Sequence, residues 1–272
     1  MTDLPYELAG DQEESWVKHI AAVEGSGDHK VLVLHGWVMD AGVWLPTRAL
    51  SDVSAFTFAY VDFPGYGSNR PAAELPDSIE AMAQVAIEAA AGLGWDRYSV
   101  VGHSMGATTA LRVATLVPDA VISVVAVSPV SPAGTPLDAA TLQGFRDAWH
   151  DPAAAVRAFL SPTMSDADLK RLTARNRASL DQAVWDRYLL NWVGPAFVDD
   201  LTSYAGRVTL LAGEHDPFVT QAALAAIDEA LPNSRAGAIM NAGHYPSIEA
   251  PQATCDAVEE ALSLRDAQTL SL

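Results

Sequence analysis

One serine in the chain has the surroundings of a nucleophile. Gly102-His103-Ser104-Met105-Gly106 lies between a Val-rich run and a stretch of helical spacing. A serine at such a junction occupies a tight, strained turn with little room for a Cβ two residues to either side, which glycine on both flanks accommodates. The turn pushes the hydroxyl out of the sheet edge and beside a helix N-terminus, where free N–H groups and the dipole favour negative charge. A hydroxyl is a weak nucleophile until a base takes its proton. Of seven histidines, His19, His29 and His150 sit in polar stretches, and His35 and His103 serve turn packing or hydrogen bonding inside other motifs. His215 directly precedes Asp216, and adjacent side chains of an extended segment point apart. His244, in the loop Asn241-Ala-Gly-His-Tyr, is therefore predicted to be the base. Asp216, in Leu211-Ala-Gly-Glu-His-Asp-Pro-Phe-Val, is predicted to fix its tautomer, with Glu214 open as the rival carboxylate.

Attack on a carbonyl develops an oxyanion, for which donors must already be in place. His35-Gly-Trp follows an early strand run, so the Trp37 backbone N–H is expected at the same sheet edge as Ser104. The Met105 N–H, first in its helix, is the second expected donor. Main-chain donors leave side chains free, so the Trp37 ring is also expected against the substrate.

These residues are far apart in the chain, and a repeating framework has to bring them together. Buried strands are predicted at 30–34, 56–61, 98–101, 121–127 and 208–212, with a weak last one at 236–240. Helices are predicted at 78–93 behind Asp77, at 105–117 ending at Pro118, at 220–231 ending at Pro232, and at 251–264. Because parallel neighbours need a crossover, this alternation predicts an α/β fold, a mostly parallel sheet with helices on both faces. The stretch 134–200 breaks the alternation with helical segments in a row and reads as an inserted all-helical piece between core parts 1–133 and 201–272. It carries Phe145, Trp149, Phe159, Trp185, Tyr188, Trp192 and Phe197, rings that water would not tolerate uncovered.

Composition removes several classes. A formal charge of −18 and a pI near 4.5 repel phosphate backbones and anionic lipids, so neither a nucleic acid nor a membrane partner is expected. With 50% hydrophobic residues the chain can bury a full core. The single cysteine, Cys255, excludes an internal disulfide and a Cys-built zinc site. The longest apolar run, 120–127, falls far short of the roughly 18 residues that span a bilayer. Met1-Thr-Asp-Leu-Pro-Tyr-Glu shows neither a basic n-region nor an apolar h-region, so a cytoplasmic location is expected. Gly65-Tyr-Gly67 lacks the third glycine of a dinucleotide fingerprint, and neither a Walker motif nor His-Glu-x-x-His occurs. Consecutive Glu214, His215 and Asp216 cannot easily converge on one ion, so no metal and no cofactor are expected. Oligomeric state has no sequence signature here.

Gly-His-Ser-Met-Gly on an elbow, His-Gly after an early strand, Asp62-Phe-Pro-Gly-Tyr-Gly-Ser-Asn-Arg-Pro after the next, then Asp216 and His244 in that chain order resemble the α/β-hydrolase superfamily over nearly the whole chain. The resemblance implies Ser104, Asp216 and His244 as a triad, Trp37 and Met105 as oxyanion donors, and 134–200 as a helical lid. It also implies that the Asp62 loop shapes backbone rather than holding phosphate. Some relatives carry their acid after the preceding strand, a place that here falls near Ser128, which cannot supply the charge. Trp149, Phe159, Trp185, Tyr188 and Trp192 of the insert are expected to contact substrate, and Ser128, Phe218 and Tyr245 are counted with them. The expected activity is hydrolysis of a small hydrophobic carboxylic ester or lactone through an acyl-enzyme on Ser104. A carbon–carbon bond hydrolase or a perhydrolase would use the same triad. Other members act as small-molecule receptors with slow turnover, or as cofactor-independent dioxygenases that rely on histidine and aspartate alone; Ser104 argues against an aspartate-nucleophile dehalogenase or epoxide hydrolase.

Overall fold

The computed structural model describes residues 17–264, so the N-terminal heptapeptide read for export signals lies outside the described residues. Seven strands form one sheet in the order β1-β3-β2-β4-β5-β6-β7. They are β1 (Ile20–Gly25), β2 (His29–Leu34), β3 (Phe56–Val61), β4 (Tyr98–His103), β5 (Val121–Val127), β6 (Arg207–Gly213) and β7 (Ser234–Ile239). Only β1 runs antiparallel to its neighbour, β3. The central strands are continuous apolar runs because both of their faces are covered, the pattern of a sheet built from crossovers. On the faces lie α1 (Ile79–Gly92), α2 (Met105–Leu116), α6 (Gln221–Asp228) and α7 (Pro251–Ser263).

Register brings the chemistry to one edge. Leu34 pairs with Gly102, Gly102 with Ala126, Ala126 with Leu210, and Leu210 with Ala236, so these residues form one row across the sheet. Everything that follows the row emerges at the C-terminal edge, where open parallel sheets bind ligands. That edge receives the Gly36–Trp37 loop, Ser104, Asp216 and the His244 loop.

Between β5 and β6 the chain leaves the sheet for α3 (Ala139–Asp147), α4 (Asp166–Ser179) and α5 (Gln182–Val193), with a Pro152–Ala155 turn that continues as Val156–Leu160. Short polar side chains punctuate the run. Asp138, Asp151, Ser165 and Asp181 each accept a backbone N–H three residues on, caps worth about 1 kcal/mol apiece. The second half of this helical segment is fastened to the loops at the sheet edge. Asn176 Nδ2 donates to the Val38 carbonyl at 2.7 Å, and the Tyr188 hydroxyl to the Pro64 carbonyl at 2.8 Å. Asn191 Nδ2 donates to the Pro76 carbonyl at 3.0 Å, and Arg175 pairs with the buried carboxylate of Asp40. In contrast, α3 has no fully buried residue.

Besides shifts of one or two residues at other element ends, three features differ from the sequence expectation. Strand β1 was not predicted: Ile-Ala-Ala-Val-Glu-Gly is half-buried at a sheet edge and lacks both a long apolar run and clean alternation. Helix α1 begins one residue late, because the adjacent Ser78, not Asp77, reaches the Ala81 N–H. Helix α6 ends at Asp228, short of Pro232. Among the described residues no helix is long and apolar enough to cross a membrane.

The backbone of the elbow tolerates no side chain at Gly106, where a Cβ would lie 2.3 Å from the His35 carbonyl oxygen. We expect Gly106→Ala to destabilise the fold by about 2 kcal/mol or more. Gly144→Ala on α3, where a Cβ meets nothing within 4 Å, should be neutral or stabilising by about 0.5–1 kcal/mol. Denaturant midpoints of the two variants, with equal m-values, check both.

Candidate active site

Ser104 directly follows β4 with φ 53° and ψ −120° and caps α2 without using its side chain. Its N–H donates to the Val127 carbonyl at 2.8 Å, and its own carbonyl accepts from Ala107 N–H at 2.9 Å. Non-glycine residues avoid this left-handed region, so the surroundings have to impose it. They do so by close backbone approach. A Cβ at Gly102 would meet the Gly106 carbonyl oxygen at 2.2 Å, and one at Gly36 would meet Ser104 Cβ at 3.1 Å.

Three side chains converge on the elbow. Ser104 Oγ lies 3.0 Å from His244 Nε2, and His244 Nδ1 lies 2.9 Å from Asp216 Oδ2. Ser104 is 7%, His244 3% and Asp216 6% exposed, so the line of hydrogen bonds is screened from bulk water. Asp216 Oδ1 also accepts the Phe218 and Val219 N–H groups at 2.9 and 2.8 Å, which leaves Oδ2 for the imidazole. Burial alone pushes this carboxyl up, yet the charge of His244 and the bonds from His244, Val219 and Phe218 outweigh it and hold the group below its ordinary value. The Asp216 carboxylate thus faces His244 Nδ1, and His244 Nε2 faces the Ser104 hydroxyl. Glu214 takes no part: it accepts the Asn241 N–H at 3.1 Å.

The backbone of His244 is held from two sides. Its N–H donates to Ser161 Oγ and the Leu160 carbonyl, both in the helical segment, at 2.9 and 3.1 Å. Its carbonyl accepts from His103 Nε2 at 2.7 Å, so the elbow residue before the serine also anchors the loop of His244. Burial, then the nearby charge of His244, drives the His103 pKa down to about 3, which keeps it neutral. His35 is likewise neutral; burial lowers its pKa, its Nδ1–H donates to the Gly36 carbonyl at 2.8 Å, and its Nε2 accepts from Phe63 N–H at 3.1 Å. The loop it opens turns at Val38, whose φ of 63° is costly for a β-branched residue. Among the described residues no three His, Cys, Asp or Glu side chains gather into a metal-binding cluster.

Ser104 and His244 face a small cavity of about 20 Å³, walled by Trp37, Phe145, Trp192 and Phe218. That is room for roughly one water. Phe145 and Phe218 also wall a groove of about 520 Å³ on the outside, lined by Leu137, Ala148, Phe159 and Pro217. Of the residues expected at the substrate, Trp37, Trp192, Phe218 and Tyr245 line the inner cavity, and Phe159, 57% exposed, lines the outer groove. Trp185 stands behind Trp37, ring centroids 4.5 Å apart, and Trp149 behind Trp185 at 5.7 Å. Tyr188 packs into the core against Tyr66, and Ser128, fully buried, does not reach the cavity wall. Sequence reasoning did not single out Val130, Leu160 or His103 for the wall, and it placed Phe145 only among the aromatics of the insert. The signal for Phe145 was its density among other rings; Val130 and Leu160 gave none.

This fold and this edge are those of a hydrolase. The chain belongs to the α/β-hydrolase family, whose sequence model matches residues 31–257, and it is esterase-like. It is 31% identical over 250 residues to the pimeloyl–acyl-carrier-protein methyl ester esterase of Cronobacter sakazakii, a match covering 86% of this chain and 93% of that protein. A hydrolase from Oleispira antarctica superposes with a TM-score of 0.81 at 16% identity, covering 95% of this chain and 100% of the other. The enol-lactonase from Burkholderia xenovorans superposes at 0.77 with 19% identity, covering 89% and 95%. At such identities the two structures share the fold.

The neutral histidines give a pH dependence with a definite sign. Between pH 6.5 and about 3 the unfolded chain protonates a histidine that folded His103 leaves neutral. Stability is therefore full above 6.5 and declines on acidification, by at most about 1.4 kcal/mol per pH unit for each such group. His35 adds in the same direction, and Asp216 adds a further loss below its ordinary value of 3.8. We expect denaturation midpoints to fall across this window and His103→Gln to make the decline shallower; an unchanged slope would contradict the assignment.

Proposed function

We propose that the protein is a cofactor-free serine hydrolase that cleaves a small carboxylic ester or lactone with an apolar body. One observation carries the reading: Ser104 Oγ, His244 Nε2, His244 Nδ1 and Asp216 Oδ2 stand in a line of two hydrogen bonds, 3.0 and 2.9 Å long. In the proposed mechanism Ser104 Oγ attacks the scissile carbonyl as His244 Nε2 takes its proton. The anion that develops is held by the Trp37 and Met105 N–H groups, preorganised donors in a site that excludes water. The imidazolium then returns the proton to the leaving alcohol oxygen, which departs and leaves the acyl group on Ser104. Water activated by His244 clears the acyl-enzyme, and Asp216 stabilises the imidazolium in both halves of the cycle.

The walls support an apolar substrate. Only a water-sized space adjoins Ser104, while a much larger apolar groove lies just outside the Phe145 and Phe218 rings. Residues 134–200 serve as the lid, and the substrate enters by moving Phe145, which α3 carries without burying any residue fully. Relatives named as a methyl ester esterase and an enol-lactonase agree with ester or lactone chemistry. The dioxygenase reading leaves the Ser104–His244 contact without a use, and the receptor reading requires slow turnover with a ligand-dependent shift in stability.

Turnover of p-nitrophenyl butyrate by purified protein tests the proposal. Ser104→Ala and His244→Ala should each lower kcat by roughly a million-fold, and Asp216→Asn by roughly ten thousand-fold. Circular dichroism would confirm that the variants fold. Hydrolysis by Ser104→Ala at near wild-type rate would rule out the acyl-enzyme.

A further inference from the structure

Four tryptophans can be compared for the fate of their indole N–H. Trp37 donates to the Trp185 carbonyl at 3.0 Å, Trp185 to the Phe145 carbonyl at 2.9 Å, and Trp44 to the Leu34 carbonyl at 3.3 Å. Trp192 is 3% exposed, and its Nε1 has no hydrogen-bond partner among the described residues. A buried indole N–H ordinarily finds an acceptor, because leaving one unmade forfeits the bond it had with water. An exception in a folded protein calls for an explanation. Its location suggests one. Trp192 helps to wall the cavity at Ser104, and its neighbours there are the rings of Trp37, Phe145 and Phe218 at centroid distances of 5.6, 5.4 and 5.7 Å. Trp192 belongs to that aromatic wall, and among the described residues its N–H is left unpaired, as is Nδ1 of His103, which lines the same cavity, whereas the Ser104 hydroxyl and His244 are engaged with each other.

We infer that the Trp192 indole N–H is a recognition donor, and that the ester it selects carries a second oxygen acceptor, a keto or amide carbonyl, in addition to the scissile one. This rests on the hydrolase reading above, which assigns the scissile carbonyl to the Trp37 and Met105 amides and so leaves the Trp192 donor for another oxygen. The donor has no partner among the described residues, so a substrate oxygen that reaches it gains a hydrogen bond without breaking one to them. A plain alkyl chain at the same place leaves the donor unpaired still. Discrimination of about tenfold is expected from one such bond.

The test uses pairs of esters of equal length that differ by one CH2 replaced with C=O. One pair varies the acyl chain of p-nitrophenyl alkanoates, and the other varies the alcohol chain of butyrate esters followed by acid release, so the two arms show which half of the ester bears the acceptor. The readout is the oxo-to-plain ratio of kcat/KM, compared between wild type and Trp192→Phe, which cancels the intrinsic reactivity of the esters. In one arm the ratio should fall about tenfold in Trp192→Phe, with a Tm at or above that of wild type because an unsatisfied donor has gone. Equal ratios in both arms overturn the proposal, as does a lowered Tm with equal ratios, which would mark the indole as a packing element only. Should Trp192→Phe not fold, the assigned indole ¹H–¹⁵N resonance of Trp192 in full-length Ser104→Ala is titrated with the oxo esters. A downfield shift supports the inference, and an unmoved resonance at saturation refutes it. Loss of hydrolysis in Ser104→Ala reports on the triad separately, so the two readings fail by different measurements.

Discussion

A serine in the left-handed region of backbone space is the constraint to which the rest of the site answers. Ser104 at φ 53° is held there by pairing of its N–H with Val127 on one side and by the first turn of α2 on the other. That turn works only if three neighbouring positions carry no side chain: Gly102 and Gly106 pass each other at backbone distance, and Gly36 brings the next loop against Ser104 Cβ. The same approach that shapes the elbow therefore also brings up the loop carrying Trp37. Strain at one residue and small size at three others are two descriptions of a single packing requirement.

The helical segment between β5 and β6 is more than a cover. Asn176 holds the carbonyl of Val38, itself at positive φ, and Arg175 pairs with Asp40 two residues further on, so α4 braces the loop after β2. Leu160 and Ser161 accept the N–H of His244, so the same segment braces the loop after β7. Two loops that the proposed chemistry needs in fixed positions are thus gripped by one inserted element. The parts of it that grip are parts that bury side chains, while α3, which buries none fully, faces the groove.

The sheet, the elbow and the three side chains were legible in the sequence because each rests on local signals: short apolar runs, glycines at fixed offsets, a histidine and an aspartate in loops after strands. The rivalry of Asp216 with Glu214 was not, since both lie on the same side of an extended chain, and it is decided by the turn that aims Phe218 and Val219 N–H groups at Asp216. Strand β1 escaped notice because an edge strand paired to one neighbour needs no continuous apolar run. The aromatic insert announced a buried ring cluster, yet which rings face the cavity depends on helix rotation and on what stands behind them. Trp149, Trp185 and Tyr188 read from sequence like Trp192, and only the fold separates a ring that supports the wall from one that forms it.

The small size of the cavity has a consequence for the electrostatics of the site. With room for about one water beside Ser104, the charges of Asp216 and of an incipient imidazolium would interact through protein and substrate rather than through solvent, where attraction is far weaker. A carboxylate in such a place is stable only because two main-chain donors and the imidazole satisfy it. The aromatic wall that narrows this cavity is therefore the same feature that would strengthen the hydrogen-bonded line in the proposed chemistry. On the proposed lid reading, an opening confined to α3 and Phe145, where packing is weakest, would leave the loops held by α4 and Ser161 in place.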